Sequence, residues 1–436
     1  MSIISSKRSH LYKFYKTTFS DLNMDILPLI FHKLSFMDLF QCKQVCSSWY
    51  SCLKFVKAHP CLMLPNQDDN HYDDVDDDTN HHHQRFFSLS YKKGAEEFYK
   101  FEDEIFDQHE NLFLGSSNGW LVVLNKPKKG SFILNPFTKK KLHIPNVGTS
   151  LTCTIISKAI VVSSKKKQGN DNDTNWVVVI YGYVQQKLAC CKVGGDDDCS
   201  WNDLKDSAYP NMSFCDILSH KNHLFGLSNS NHVHIWDFSH NGSNVPTKLI
   251  PLVPKSQPCF DLLKSEKFKK ESYFCQSYLV ESMSGELLLV TRVVGCIVNS
   301  DGELLEEADL YDGLICPYST VAICVHKMKM KMKRETEKLE FEWENVESLG
   351  CDEAVFVGRS ESMCCSTEFV PGYQGNSIYF SDDNWDMMDI DYSFGGHDNG
   401  VYSMETKTVV KVEPWFDQIQ AEKIYPPPLW ILPKLV

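Results

Sequence analysis

The 436-residue sequence has no apolar run near the 18 residues that a membrane-spanning helix requires, and no signal-peptide pattern. It has no basic excess either. The formal net charge of -13 argues against a nucleic-acid binder, whose field is normally positive, so neither membrane nor nucleic acid is expected as a partner. The motifs H-E-x-x-H and G-x-x-x-x-G-K and the dinucleotide fingerprint are all missing. A catalytic group assembled from distant segments would leave no such trace, but nothing in the sequence assigns the chain a catalytic role. Cys42, Cys46, Cys52 and Cys61, with His59 nearby, lack the close C-x-x-C spacing of a structural zinc site. The 17 cysteines are odd in number and scattered, and they read as reduced thiols of the cytoplasm or nucleus. No cofactor and no metal site is expected.

The composition present is that of a folded chain. With 42% hydrophobic and 12% aromatic residues, it can bury one large core or two unequal ones. The first 19 residues carry Lys7, Arg8, Lys13 and Lys16 and no acid, and residues 1–20 are expected to be a basic flexible tail. From Asp21 the pattern becomes helical. Ile26, Leu27, Ile30, Phe31 and Leu34 recur at helical spacing and predict a first helix over 25–34, capped by Asp25 with Pro28 inside its first turn. Ser35 followed by Asp38 is a capping-box pattern that opens a second helix through Leu39, Phe40 and Cys42. A third presents Cys46, Trp49, Tyr50, Leu53 and Val56. A unit of about 40 residues seldom buries that much apolar surface within itself. Something outside the unit must cover one face, and a neighbouring domain of the same chain is one such cover.

The run Leu22, Ile26, Leu27, Ile30, Phe31, Leu34, Leu39, Val45, Cys46 and Trp49, ending in VCSSW, resembles an F-box over 21–58. Asn23 stands where that family usually carries proline. The resemblance implies a headpiece that docks on the Skp-type adaptor of a cullin–RING ubiquitin ligase through apolar side chains laid into a groove. The residues implied for that contact are Leu22, Ile26, Ile30, Leu34, Leu39, Val45 and Trp49.

Beyond residue 60 the pattern becomes short apolar runs broken by turn residues, among them NGWLVVLN, NWVVVIYGYV, SGELLLVTRVV, AVFVG and NSIYFSD. So many short strands with few helices between them favour a mainly β architecture. Recurring Gly-apolar-turn units favour radial repetition, a β-propeller of six or seven blades, because it leaves only short edges. Several segments are similar, in order, to the KIB-type β-propeller of plant F-box proteins: CLMLP, GSSNGWLVVLN, LNPFTKKKLHIP, WENVESLGCDEAVFVG, NSIYFSDD, DNGVYSMET and YPPPLWILP. The resemblance implies that 60–436 form such a propeller and hold a target protein. The chain would be a non-enzymatic substrate adaptor. A ligase-independent interaction scaffold is the alternative reading.

Three conspicuous segments are read without function. DDNHYDDVDDDTNHHH is expected to be a disordered acidic and histidine-rich loop within 66–84, because dense like charges repel. KMKMKMKR at 327–334 is expected to be a long polar connection, its field neutralised by Glu335, Glu337, Glu340 and Glu342. DIDYSFGGHDNG at 389–400 fails as a calcium loop, with Phe394 where the sixth-position glycine belongs and Gly400 where glutamate should stand. The neighbours Cys190 and Cys191, like Cys364 and Cys365, should point to opposite faces of their strands.

Overall fold

Alternating burial on both faces organises the β-rich part of the chain. In the segment TNWVVVIY, Val177 and Val179 join one buried cluster while Trp176, Val178 and Ile180 join another, so a single strand serves two interfaces. In AVFV, Ala354 and Phe356 face one cluster and Val355 and Val357 the next. A sheet buried on both faces needs a neighbour on each side. That requirement is met by sheets arranged around an axis.

The computed structural model describes residues 23, 25–31, 33–34, 36–53, 59–64, 83–88, 97–102, 111–125, 130–145, 156–164, 174–194, 200–205, 209–239, 245–249, 251–258, 273–296, 318–332, 339–368, 372–383, 398–410 and 428–433. The chain divides into two compact units, 1–58 with 435–436, and 59–434.

In the first unit, among the described residues, α1 (Leu27–Phe31), α2 (Phe36–Cys42) and α3 (Ser47–Leu53) follow one another. Helix α1 is shorter than the 25–34 expected. The Asn23 carbonyl accepts hydrogen bonds from the amides of Ile26 and Leu27, and its side-chain oxygen accepts one from the Asp25 amide, so Asn23 rather than Asp25 closes the N-terminus. At the other end, the amides of Lys33 and Leu34 reach back three residues, to Ile30 and Phe31, and tighten the last turn. Leu27, Phe31, Leu39, Cys42, Cys52 and Leu53 are buried, and Phe31 meets Trp49 edge to face at 5.3 Å.

The second unit holds the strands. Strands β1 (Cys61–Leu64), β2 (His83–Ser88) and β3 (Glu97–Glu102) form a sheet completed by the last strand, β25 (Leu429–Ile431), beside β1. The second sheet is β4 (Asn111–Ser117), β5 (Trp120–Asn125), β6 (Phe132–Asn135) and β7 (Lys140–His143). The third is β8 (Ile156–Ser164), β9 (Thr174–Tyr181), β10 (Lys187–Lys192) and β11 (Asn202–Asp203). The fourth is β12 (Phe214–His220), β13 (His223–Ser228), β14 (Val233–Asp237) and β15 (Thr247–Lys248). The fifth is β16 (Tyr273–Glu281), β17 (Leu287–Cys296), β18 (Tyr318–Met332) and β19 (Leu339–Asn345). These five sheets are four-stranded and antiparallel throughout. The last sheet contains β20 (Glu353–Val357), β21 (Met363–Ser366), β22 (Ser377–Phe380), β23 (Gly400–Ser403) and β24 (Thr408–Val410), with β20 and β22 parallel.

The mainly β propeller expected from the sequence is present, and its blade count is corrected. Five blades follow the four-stranded antiparallel plan, and the remaining sheet is five-stranded and mixed, since the chain turns back through β21 before laying β22 beside β20. Successive buried clusters join the second sheet to the third, third to fourth, fourth to fifth, fifth to the mixed sheet, and mixed sheet to the first. Contact between β25 and β4 brings the first sheet against the second.

Three further expectations meet the structure here. Residues 327–332 are not a connection but the C-terminal part of β18, where Lys327, Lys329 and Lys331 stand in register opposite Glu344, Glu342 and Glu340 of β19. Cys190 and Cys191 pack into different clusters, as do Cys364 and Cys365, in keeping with strand alternation. The acidic segment lies outside the described residues except that His83 and Gln84 begin β2.

Candidate functional site

Two surfaces stand out, one in each unit. In the helical unit, Ile26, Leu29, Ile30 and Val45 are 47%, 63%, 37% and 53% exposed, while Leu27, Phe31, Leu39, Cys42, Cys52 and Leu53 are buried. Of the residues singled out from the sequence, Ile26, Ile30 and Val45 belong to the exposed set, while Leu34 and Trp49 are half-buried. Leu39, only 4% exposed, is core and supplies no docking surface. Leu22 lies outside the described residues. Leu29 falls outside the stripe Ile26, Leu27, Ile30, Phe31 and Leu34 that the helical spacing marks as one face. Burial divides that stripe.

In the propeller, the inner strands carry ionisable groups inside apolar runs. Strands β8 and β12 each have a register shift near their start, between Ile156 and Lys158 and between Phe214 and Asp216. A bulge re-aims a side chain. Here Lys158 and Asp216 meet, Nζ to Oδ1 at 2.5 Å, with both side chains almost fully buried. The Asp216 Oδ2 accepts the Leu279 amide at 2.6 Å, and Lys158 also donates to the Gly358 carbonyl at 3.3 Å. Burial pushes the Asp216 carboxyl upward, opposed by the ammonium and the amide.

A pocket of about 490 Å³ opens beside this pair. Strand β16 lines it with Cys275, Gln276, Ser277 and Tyr278, the segment after β20 with Gly358 and Arg359, and the segment after β22 with Asp383. The Tyr278 hydroxyl donates to Asp383 Oδ2 at 2.5 Å, and Arg292 donates to Tyr278 at 2.8 Å and to Asp398 at 2.6 Å. Burial raises both the Tyr278 phenol and the Asp383 carboxyl.

Nearby, the segment between β20 and β21 ties blades together. The Glu361 carboxylate accepts the Ser219 amide at 2.6 Å and the Ser117 hydroxyl, and the Glu361 amide donates to the Ser116 carbonyl at 2.9 Å. Burial pushes the Glu361 carboxyl up to about 7. Sequence reasoning missed this whole set. The available signal was a single charge within an apolar strand, as in SKAIVV, FCDILS and LLLVTRVV.

One chain thus carries a helical unit with exposed apolar residues and a propeller with a polar pocket. The KIB1-4 beta-propeller family matches residues 86–403 and the F-box domain matches residues 19–59. The chain belongs to the plant F-box proteins with a KIB-type propeller. Among its relatives is the putative F-box protein At4g17565 of Arabidopsis thaliana, 24% identical over 95% of this chain and 94% of the relative. The putative F-box protein At5g38270 of the same plant is 22% identical over 91% and 90% of the two chains. An F-box joined to such a propeller suggests, at the level of the family, a substrate adaptor of SCF-type ligases. Among the described residues, no helix is long and apolar enough to cross a membrane.

Proposed function

We propose that this protein is a substrate adaptor of an SCF-type cullin–RING ubiquitin ligase, its helical unit docking on a Skp-type adaptor and its propeller holding the target. The reading rests on the exposed row Ile26, Leu29, Ile30 and Val45 within the segment that matches the F-box. An apolar face of this kind suits helix-in-groove recognition. The mechanism is proximity. Holding the target near the ubiquitin-loaded subunit raises the effective concentration of its lysines without any chemistry by this chain. Proteins with these two domains are typically non-enzymatic adaptors, and this chain is read in the same way. The 13 described cysteines without disulfides suit action in the cytoplasm or nucleus.

Co-purification of the full chain with a recombinant Skp-type adaptor tests the reading. Ile30→Asp places an unpaired carboxylate in the contact and should weaken binding about a hundredfold to a thousandfold. Because Ile30 is already exposed, the melting transition should stay where it is. Wild-type chain that does not co-purify would leave the ligase-independent scaffold in its place.

A further inference from the structure

The propeller pocket lies in the second unit, and its charges are not evenly engaged. Lys158 is held by Asp216 and the Gly358 carbonyl, and Arg359 donates to the Ile156 carbonyl at 2.8 Å. Asp383 differs. Its side chain is 16% exposed, its Oδ2 takes the Tyr278 hydroxyl with Arg292 Nη1 4.0 Å away, and its Oδ1 receives no hydrogen bond. A carboxylate oxygen left in that condition is costly, and a cationic donor relieves it best. The other lining groups Ser157, Gln186, Asn229, Asn231, Gln276 and Ser277 are neutral hydrogen-bonding side chains.

The same end of the propeller carries unpartnered apolar groups. Tyr183 and Val184, 78% and 89% exposed, form the turn between β9 and β10 that continues into the lining residue Gln186. Phe274 is 36% exposed and precedes the lining residue Cys275. We propose that this end binds a protruding segment of the target polypeptide, whose lysine or arginine side chain enters the pocket and pairs with Asp383. Its apolar neighbours lie on Tyr183, Val184 and Phe274. The pocket volume of about 490 Å³ exceeds what one basic side chain fills, and the net charge of -13 favours encounter with a basic segment. This assignment rests on the adaptor reading and names the surface and the target chemistry.

The test uses the full chain and ligand-observed NMR with four probes. They are acetyl-Leu-Lys-Leu-amide, its norleucine and glutamate counterparts, and spermidine as a free polyamine. The lysine peptide should bind at least tenfold more tightly than the other three. Asp383→Asn should remove its advantage over the norleucine peptide. Gln276→Lys, which puts a cation into the pocket from within, should do the same and decides the matter if the first variant does not fold. Glu347→Gln, whose side chain is 76% exposed, should change nothing. A preference for the glutamate peptide, spermidine binding as tightly as the lysine peptide, or a lysine advantage that survives in a folded variant would each overturn the proposal. Adaptor co-purification on the same samples separates the two readings. Loss of the adaptor with peptide discrimination intact removes the ligase reading alone, and the reverse removes this one alone.

Discussion

Glu361 concentrates at one residue the tension between burial and charge that runs along the inner strands. Its carboxyl is raised from 4.5 to about 7 because burial disfavours the ion more than the Ser117 hydroxyl and Ser219 amide favour it. The folded protein therefore binds this proton more tightly than the unfolded chain does. This group's contribution to stability is fully present below about pH 4.5 and is lost as pH rises toward 7. Glu361→Gln keeps an acceptor for the Ser219 amide and removes the titration. The variant should match wild type near pH 4.5 and be more stable above pH 7, by on the order of 2 kcal/mol. Thermal melts of both proteins across that range check it, and a wild type that gains on the variant as pH rises would show the sign to be wrong. Arg292 is the opposite case, a buried cation fully engaged by Asp398, Tyr278, Thr320 and the Ser381 carbonyl. Removing it by Arg292→Ala strands the Asp398 carboxylate and should cost about 3–5 kcal/mol in a denaturant titration.

At the scale of elements, legibility followed apolar runs and failed where pairing mattered. NGWLVVLN was readable because Asn118 and Gly119, both at positive φ, make the tight turn between β4 and β5 that such a dipeptide specifies. AVFVG and NSIYFSD were readable as strands, but nothing local states that β20 and β22 run parallel with β21 set outside them. The lysine and methionine alternation misled for a related reason. Read alone it is polar, yet in register each lysine meets a glutamate, and Met328 packs against the cluster containing Phe341 and Trp343. The pocket was illegible because Lys158 and Asp216 come from different sheets and meet only through two bulges. The β18–β19 pair also makes a prediction. Lys329 donates to Glu344 at 2.8 Å in an exposed position, so Lys329→Ala should leave the denaturation midpoint where it is, whereas Phe341→Ala, at 1% exposure, should cost about 3–5 kcal/mol. Equal effects in chemical denaturation would refute the division between a solvated charge ladder and a packed face.

For the whole molecule, the decisive residues are those of the strand that completes the first sheet. A ring of sheets buried on both faces has no stable intermediate size, since every missing sheet leaves two apolar faces open. Here the first sheet is completed only by β25, which pairs with β1 through Cys61 opposite Ile431 and Leu62 opposite Trp430. Trp430 then packs on Phe356 of the mixed sheet at 5.0 Å, and its carbonyl accepts the Ser116 hydroxyl of β4. Three residues thus join the first sheet, the second and the mixed one. Trp430→Ala should cost about 3–5 kcal/mol, and its effect should appear as a lower midpoint of the whole propeller transition rather than as a separate early phase. Removing residues 426–436 should do more, leaving a protein that binds a dye for exposed apolar surface and loses its cooperative melt. A synthetic peptide of that span added in trans should restore part of the transition, because the slot between β1 and β4 is specific in register and in the Trp430 site. A truncated chain that still melts cooperatively at the wild-type midpoint would mean that closure by the last strand is not what holds the ring.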